Sequence, residues 1–126
     1  MLGQQNSART YEEPAVYVLE VQLSANQQRV DVPLFVDADS DFLWEALAGT
    51  STGAYTIRVR LPNGRYMSNA AVRNANAVGT AQFPVPVLPA VLVPAGNRIG
   101  FDLQDLSGAS NTIQLVLIGR RRYTLT

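Results

Sequence analysis

Apolar side chains recur at every second residue through much of this chain, and that period decides what it can fold into. In "AVYVLEVQLS", residues 15–24, Tyr17, Leu19, Val21 and Leu23 share one face. Val16, Val18, Glu20 and Gln22 share the other. Successive side chains of a strand point to opposite sides, whereas a helix repeats every 3.6 residues, so this pattern marks a half-buried strand. "YTIRVRL", residues 55–61, is clearer still, with Tyr55, Ile57, Val59 and Leu61 set against Thr56, Arg58 and Arg60. In "RVDVPLFVD", Val30, Val32, Leu34 and Val36 alternate with Arg29, Asp31, Pro33 and Phe35. Pro33 there predicts an edge position or a bulge, because proline cannot donate to a ladder.

The rest of the chain supports the same class. "FPVPVLPAVLVPAG" carries Pro84, Pro86, Pro89 and Pro94, which forbid a helix and a central strand but suit an extended segment at a sheet edge. "PNGR", residues 62–65, is a strong hairpin signal and predicts a short return strand at Tyr66 and Met67. "SNAAVRNANAVGTAQ", residues 68–82, is a loop with room for one helical turn. Ile99, Phe101 and Leu103 share a face, and "TIQLVLIG" reads as a central strand covered on both sides. These segments predict an all-β fold: a β-sandwich or jelly roll of seven to eight antiparallel strands. Residues 15–126 form a single domain on this reading, and the polar residues 1–14 form an extended N-terminal arm, ordered only where a partner holds it.

"VDADSDFLWEAL", residues 36–47, raises the question of chemistry, since Asp37, Asp39 and Asp41 alternate ahead of the single tryptophan. An EF-hand loop needs such carboxylates at positions one, three and five, then glycine at six and glutamate at twelve. Phe42 and Ala48 occupy those two positions, so the sharp turn and the bidentate ligand are missing. A looser calcium site is the alternative left open. A carboxylate pair for glycoside hydrolysis needs two acids facing each other across a cleft, which one short segment does not supply. The simpler reading is that Asp39 and Ser40 make a turn and residues 42–48 start a strand. Two helical turns would also suit Leu, Glu and Ala there.

Composition narrows the function classes. The 126 residues include no cysteine and no histidine, which removes disulfides, thiolate sites, the commonest general base and the commonest metal ligand. Catalysis is therefore not expected, and neither catalytic residues nor cofactors are assigned. Ten arginines balance ten acids, so long-range attraction to nucleic acid or an anionic membrane is not expected. All ten cations are arginine, which suits interfaces but follows equally from the base composition of a genome. No secretory leader is visible, and no apolar run approaches the ~20 residues of a membrane helix, so a soluble protein is expected.

Candidate contact residues remain. Arg9, Tyr11, Glu12 and Glu13 lie on the arm. Phe35 joins Val16 and Val18 as an apolar group suited to contact with another copy. In "GRRRY", a strand would send Arg120 and Arg122 one way, and Arg121 and Tyr123 the other. Three arginines split across two faces make a poor nucleic-acid groove. They suit either a solvated terminal strand or acids on a neighbouring chain.

Over residues 15–123 the chain resembles the small virion proteins of tailed bacteriophages. The likeness rests on "DADSDFLW" before "YTIRVRL", the proline-rich crossing, the "PAG" turn, the "DLSG…N" turn, and an apolar strand ending in glycine and arginines. It implies a structural role on the capsid surface of the virion after synthesis in the host cytoplasm. A capsid cement or decoration protein is the expectation, with the major capsid protein and further copies of itself, as homodimer or homotrimer, for partners. A head–tail adaptor or tail-associated protein is the nearest competitor, and a carbohydrate- or receptor-binding module the alternative of another class.

Overall fold

A computed structural model describes residues 9–125. Eight strands follow one another: β1 (Arg9–Leu23), β2 (Gln28–Phe35), β3 (Asp41–Ser51), β4 (Tyr55–Arg60), β5 (Val72–Arg73), β6 (Val85–Val93), β7 (Arg98–Asp105) and β8 (Asn111–Leu125). One helical turn, α1 (Asn74–Ala77), precedes β6. The strands form two four-stranded sheets, β1-β8-β3-β6 and β2-β7-β4-β5. Every named pairing is antiparallel. The pairs are nested: β1 with β8, β2 with β7, β3 with β6 and β4 with β5. A long hairpin rolled up on itself gives this order, which is the wiring of a jelly roll.

The expected alternation fills the space between the sheets. Phe42, Trp44, Tyr55, Ile57, Phe101, Leu115 and Leu117 are buried there. A large apolar side chain taken fully out of water contributes about 1.5–3 kcal/mol, so this layer dominates the favourable side of folding. The Trp44 indole N–H donates to the Ala46 carbonyl at 2.8 Å, so this buried donor is paired. Burial pushes the Tyr55 phenol up to about 12, keeping it neutral.

Proline positions explain the sheet edges. β2 and β6, which carry Pro33, Pro86 and Pro89, are both edge strands. In β2 the register shifts between Arg29 and Val32, and Asp31 has φ +59°, so edge and bulge coincide. The bulge turns Val30 out of the alternation into solvent. Residues 42–48 are strand, inside β3.

Four sequence expectations change. Residues 68–82, expected as a loop with room for one helical turn, hold that turn as α1 but also the two-residue strand β5, paired with Thr56 and Ile57 of β4. β8 is central, but its outer face (Gln114, Val116, Ile118) is only half-buried, because a two-layer sandwich covers each sheet on one side. The return after "PNGR" is a single bridge, Arg60 with Tyr66, beside a Gly64 turn with φ +87°. The first strand begins at Arg9, not after Pro14. Residues 9–14 pair with residues 120–125 of β8, so this part of the expected arm is held by the chain itself. Residues 1–8 of that arm lie outside the described residues.

Candidate assembly surface

β1 and β8 pair over fifteen residues each, and the last of that ladder runs past the rest of its sheet. β3 starts opposite Arg122, so Tyr123, Thr124 and Leu125 have β1 as their one strand partner among the described residues. The result is a two-stranded ribbon projecting from one end of the sandwich. Its tip exposes Tyr11 (56%) and Leu125 (51%), with the Tyr11 and Tyr123 rings tilted at 6.3 Å.

The antiparallel register brings together seven of the eight candidate contact residues. Glu12 sits opposite Arg122, Glu13 opposite Arg121, and Arg9 opposite Leu125. As alternation requires, the arginines divide between faces. On the outer face Arg120 donates to Glu12 at 2.7 Å and to Glu45 at 3.1 Å, while Arg122 reaches Asp41 at 4.0 Å. On the inner side Arg121 meets Glu13 at 3.5 Å and Asp37 at 3.2 Å. The Tyr17 hydroxyl beside it above all, with Tyr123 and Asp37, raises the Arg121 guanidinium further above its usual range. The three arginines thus find their acids within the chain. Two of these acids come from the Asp37/Asp39/Asp41 stretch, whose remaining role is a turn in which the Ser40 hydroxyl donates to Asp39. Among the described residues no group of three or more Asp, Glu, His or Cys is placed to hold a metal ion.

Phe35 is the exception. Its outward position in β2 puts it on the other sheet, where Arg98 lies over its ring at 5.9 Å. Val16 and Val18 are exposed on the outer face of the β1-β8-β3-β6 sheet. Phe35 and the two valines therefore form no common patch, because alternation within one strand cannot say to which layer that strand belongs. Sequence reading missed Glu45, Asp37 and Asp41 as counterions, and Leu125 at the tip. A signal existed in the complementary blocks "EE" near one end and "RRR" near the other, which an antiparallel pairing of chain ends would match.

A cleft of about 710 Å³ opens between β6 and the β4–β5 side of the sandwich. Its walls are mostly apolar (Leu47, Val59, Val87, Val91), with Asn63, Arg65 and Tyr66 at the polar side. Leu88 at its rim is 84% exposed.

No family model and no curated protein matches the chain. A solved structure titled for Bacillus endospore appendages that form a novel family of disulfide-linked pili is similar in shape, at 12% identity and a TM-score of 0.43. The match covers 100% of this chain and 97% of that one. A likeness at this level carries no functional argument, and this chain has no cysteine with which to form a disulfide.

Proposed function

We propose that the protein is a structural virion subunit without chemistry of its own: a capsid cement or decoration protein that binds the outer surface of a major capsid lattice and stabilises the head. The projecting β1–β8 ribbon is the observation that carries this reading. It exposes an aromatic and an aliphatic tip on a backbone already held by a ladder, and Glu12, Glu13 and the three arginines at its base are already paired. Such a tip enters a groove on another protein with little further ordering cost, and buried aromatic anchors dominate interface energies. The sequence resemblance to small phage virion proteins supplies the partner class. Attachment at a head–tail junction would use the same tip. The cleft beside β6 supports the other reading, a carbohydrate- or receptor-binding module, since its volume falls in the range of small-ligand sites.

The test is co-sedimentation with empty shells of a major capsid protein from the same genome, where one is found. The parent should pellet with the shells in saturable fashion. Tyr11→Ser combined with Leu125→Ser should weaken that binding about tenfold or more, as loss of an anchor worth ~2 kcal/mol implies. Folding stability should change by less than about 0.5 kcal/mol, since both side chains are exposed. No binding by the parent would end the capsid reading. Full binding by the double variant would remove the ribbon from it.

A further inference from the structure

The chain is neutral overall, yet its two broad faces are not. The outer face of the β2-β7-β4-β5 sheet carries Arg58, Arg60 and Arg98, with Arg73 beside them on β5, against Asp31 and Asp102. Four arginines face two aspartates, an excess of two positive charges. The two acids are already engaged. Asp31 pairs with Arg98 and lies 3.9 Å from Arg60, while Asp102 accepts the Tyr66 hydroxyl at 2.7 Å and the Asp31 N–H at 2.8 Å. Arg58 stacks 3.7 Å over the Tyr66 ring and donates to the Ser68 carbonyl, with no carboxylate partner among the described residues. Arg73 is exposed.

The outer face of the β1-β8-β3-β6 sheet is the reverse. Glu12, Glu20, Asp41 and Glu45 stand against Arg120 and Arg122, an excess of two negative charges. Glu20 is exposed, and among the described residues its one hydrogen-bond partner is the Gln114 amide at 3.3 Å. Between Glu20 and the Arg120 cluster lies an apolar strip of Val16, Val18, Val116 and Ile118. The opposite face offers exposed Pro33 and Phe35. The four arginines and four acids elsewhere in the chain cancel.

We infer that these two faces are the contact surfaces between copies of this chain, the arginine face of one copy stacking on the acidic, apolar-striped face of the next. The occupant is a second copy because excess charge of opposite sign and equal size sits on opposite sides of one neutral molecule. Such a contact is heterologous, so it builds rings or rows, not two-fold dimers. Four strands about 4.8 Å apart and about eight residues of 3.3 Å make a face of roughly 500 Å², below the ~800 Å² per partner of a stable complex. The contact is therefore weak alone and salt-sensitive, and it gains strength only when many copies are held side by side. This deepens the shell reading by naming the surfaces between subunits. It does not use the Tyr11 and Leu125 tip of the ribbon, so either idea can fail without the other.

The test uses the isolated full chain in sedimentation velocity, over a concentration series in low and high salt. Two variants reverse one face each at exposed or half-exposed positions: Thr56→Glu with Arg73→Glu, and Glu20→Arg with Gln114→Arg. Parent protein should associate as concentration rises in low salt and be monomeric in high salt. Each variant alone should associate at least about tenfold more weakly, with an unchanged melting temperature. An equimolar mixture should regain association, because one variant then has two basic faces and the other two acidic ones. A parent that stays monomeric at every salt and concentration overturns the inference. So does association that neither variant weakens, or a mixture that fails to recover. If the parent is monomeric and the Glu20 variant loses only shell binding, the face belongs to the capsid protein and not to a second copy.

Discussion

Asp105 shows how one residue organises the end of the molecule opposite the ribbon. It is buried at the end of β7, and its carboxylate accepts hydrogen bonds from the Ser107 hydroxyl (2.6 Å) and N–H (3.0 Å). The Asn26 N–H (2.9 Å), the Gly108 N–H (3.0 Å) and the Asn111 amide (3.0 Å) bind it as well. Asn111 in turn donates to the Gly53 and Ala54 carbonyls, so three turns are tied through two side chains. The Ser107 hydroxyl above all, aided by the other donors, holds the Asp105 carboxyl well below the usual carboxylate range. A folded-state value below the unfolded one means that the contribution to stability is complete above the unfolded value of about 3.9. It is lost as pH falls from there toward the folded value. Melting temperature should drop as pH is lowered below about 4. Asp105→Asn should lower it at pH 7, by leaving donors unmatched, and make the acid limb shallower. An acid limb of unchanged depth in that variant would remove Asp105 from this account.

At the scale of elements, β1 and β8 are joined by a backbone ladder and decorated with ion pairs, and the two contribute very differently. Exposed pairs on the ribbon gain little, about 0–1 kcal/mol, because water screens them and long side chains lose freedom. Arg120→Ala should therefore cost less than about 1 kcal/mol in denaturant unfolding, although it breaks contacts to both Glu12 and Glu45. A much larger cost would mean that the ion pairs, and not the ladder, hold the ribbon. β2 shows a different balance. Its Val32 and Leu34, with Val36 just past its end, obey the alternation, while Val30 leaves it because Asp31 takes a left-handed conformation at the bulge. There the Asp31 N–H meets Asp102 and its carboxylate meets Arg98, so a polar contact across the strands displaces the expected valine.

For the whole molecule, nesting sets the kinetics. In the β1–β8 ladder even the closest pair in sequence, Leu23 with Asn111, is separated by 88 positions. Loop-closure entropy must be met before such contacts return anything, so folds of this kind cross their barrier in milliseconds to seconds. Stopped-flow refolding followed by Trp44 fluorescence should fall in that range. A microsecond phase carrying the full amplitude would contradict a nested order of assembly.

Period-two alternation and proline placement carried the class, most of the strands and the edge positions of β2 and β6, because these follow from backbone stereochemistry and local burial. "DLSG…N" was legible as a turn, but not as the buried knot of Asp105 and Asn111, which needs the β3–β4 turn brought against it. Arg120 and Arg122 facing away from Arg121 was legible too, since strand geometry alone requires it. Which acids those arginines meet was not, because Glu12, Glu45, Asp37 and Asp41 come from three separate segments that only the rolled-up pairing aligns. Phe35 marks the same limit. Its outward orientation is local, but the layer it faces out from is set by which sheet β2 joins, and that is decided by long-range pairing with β7.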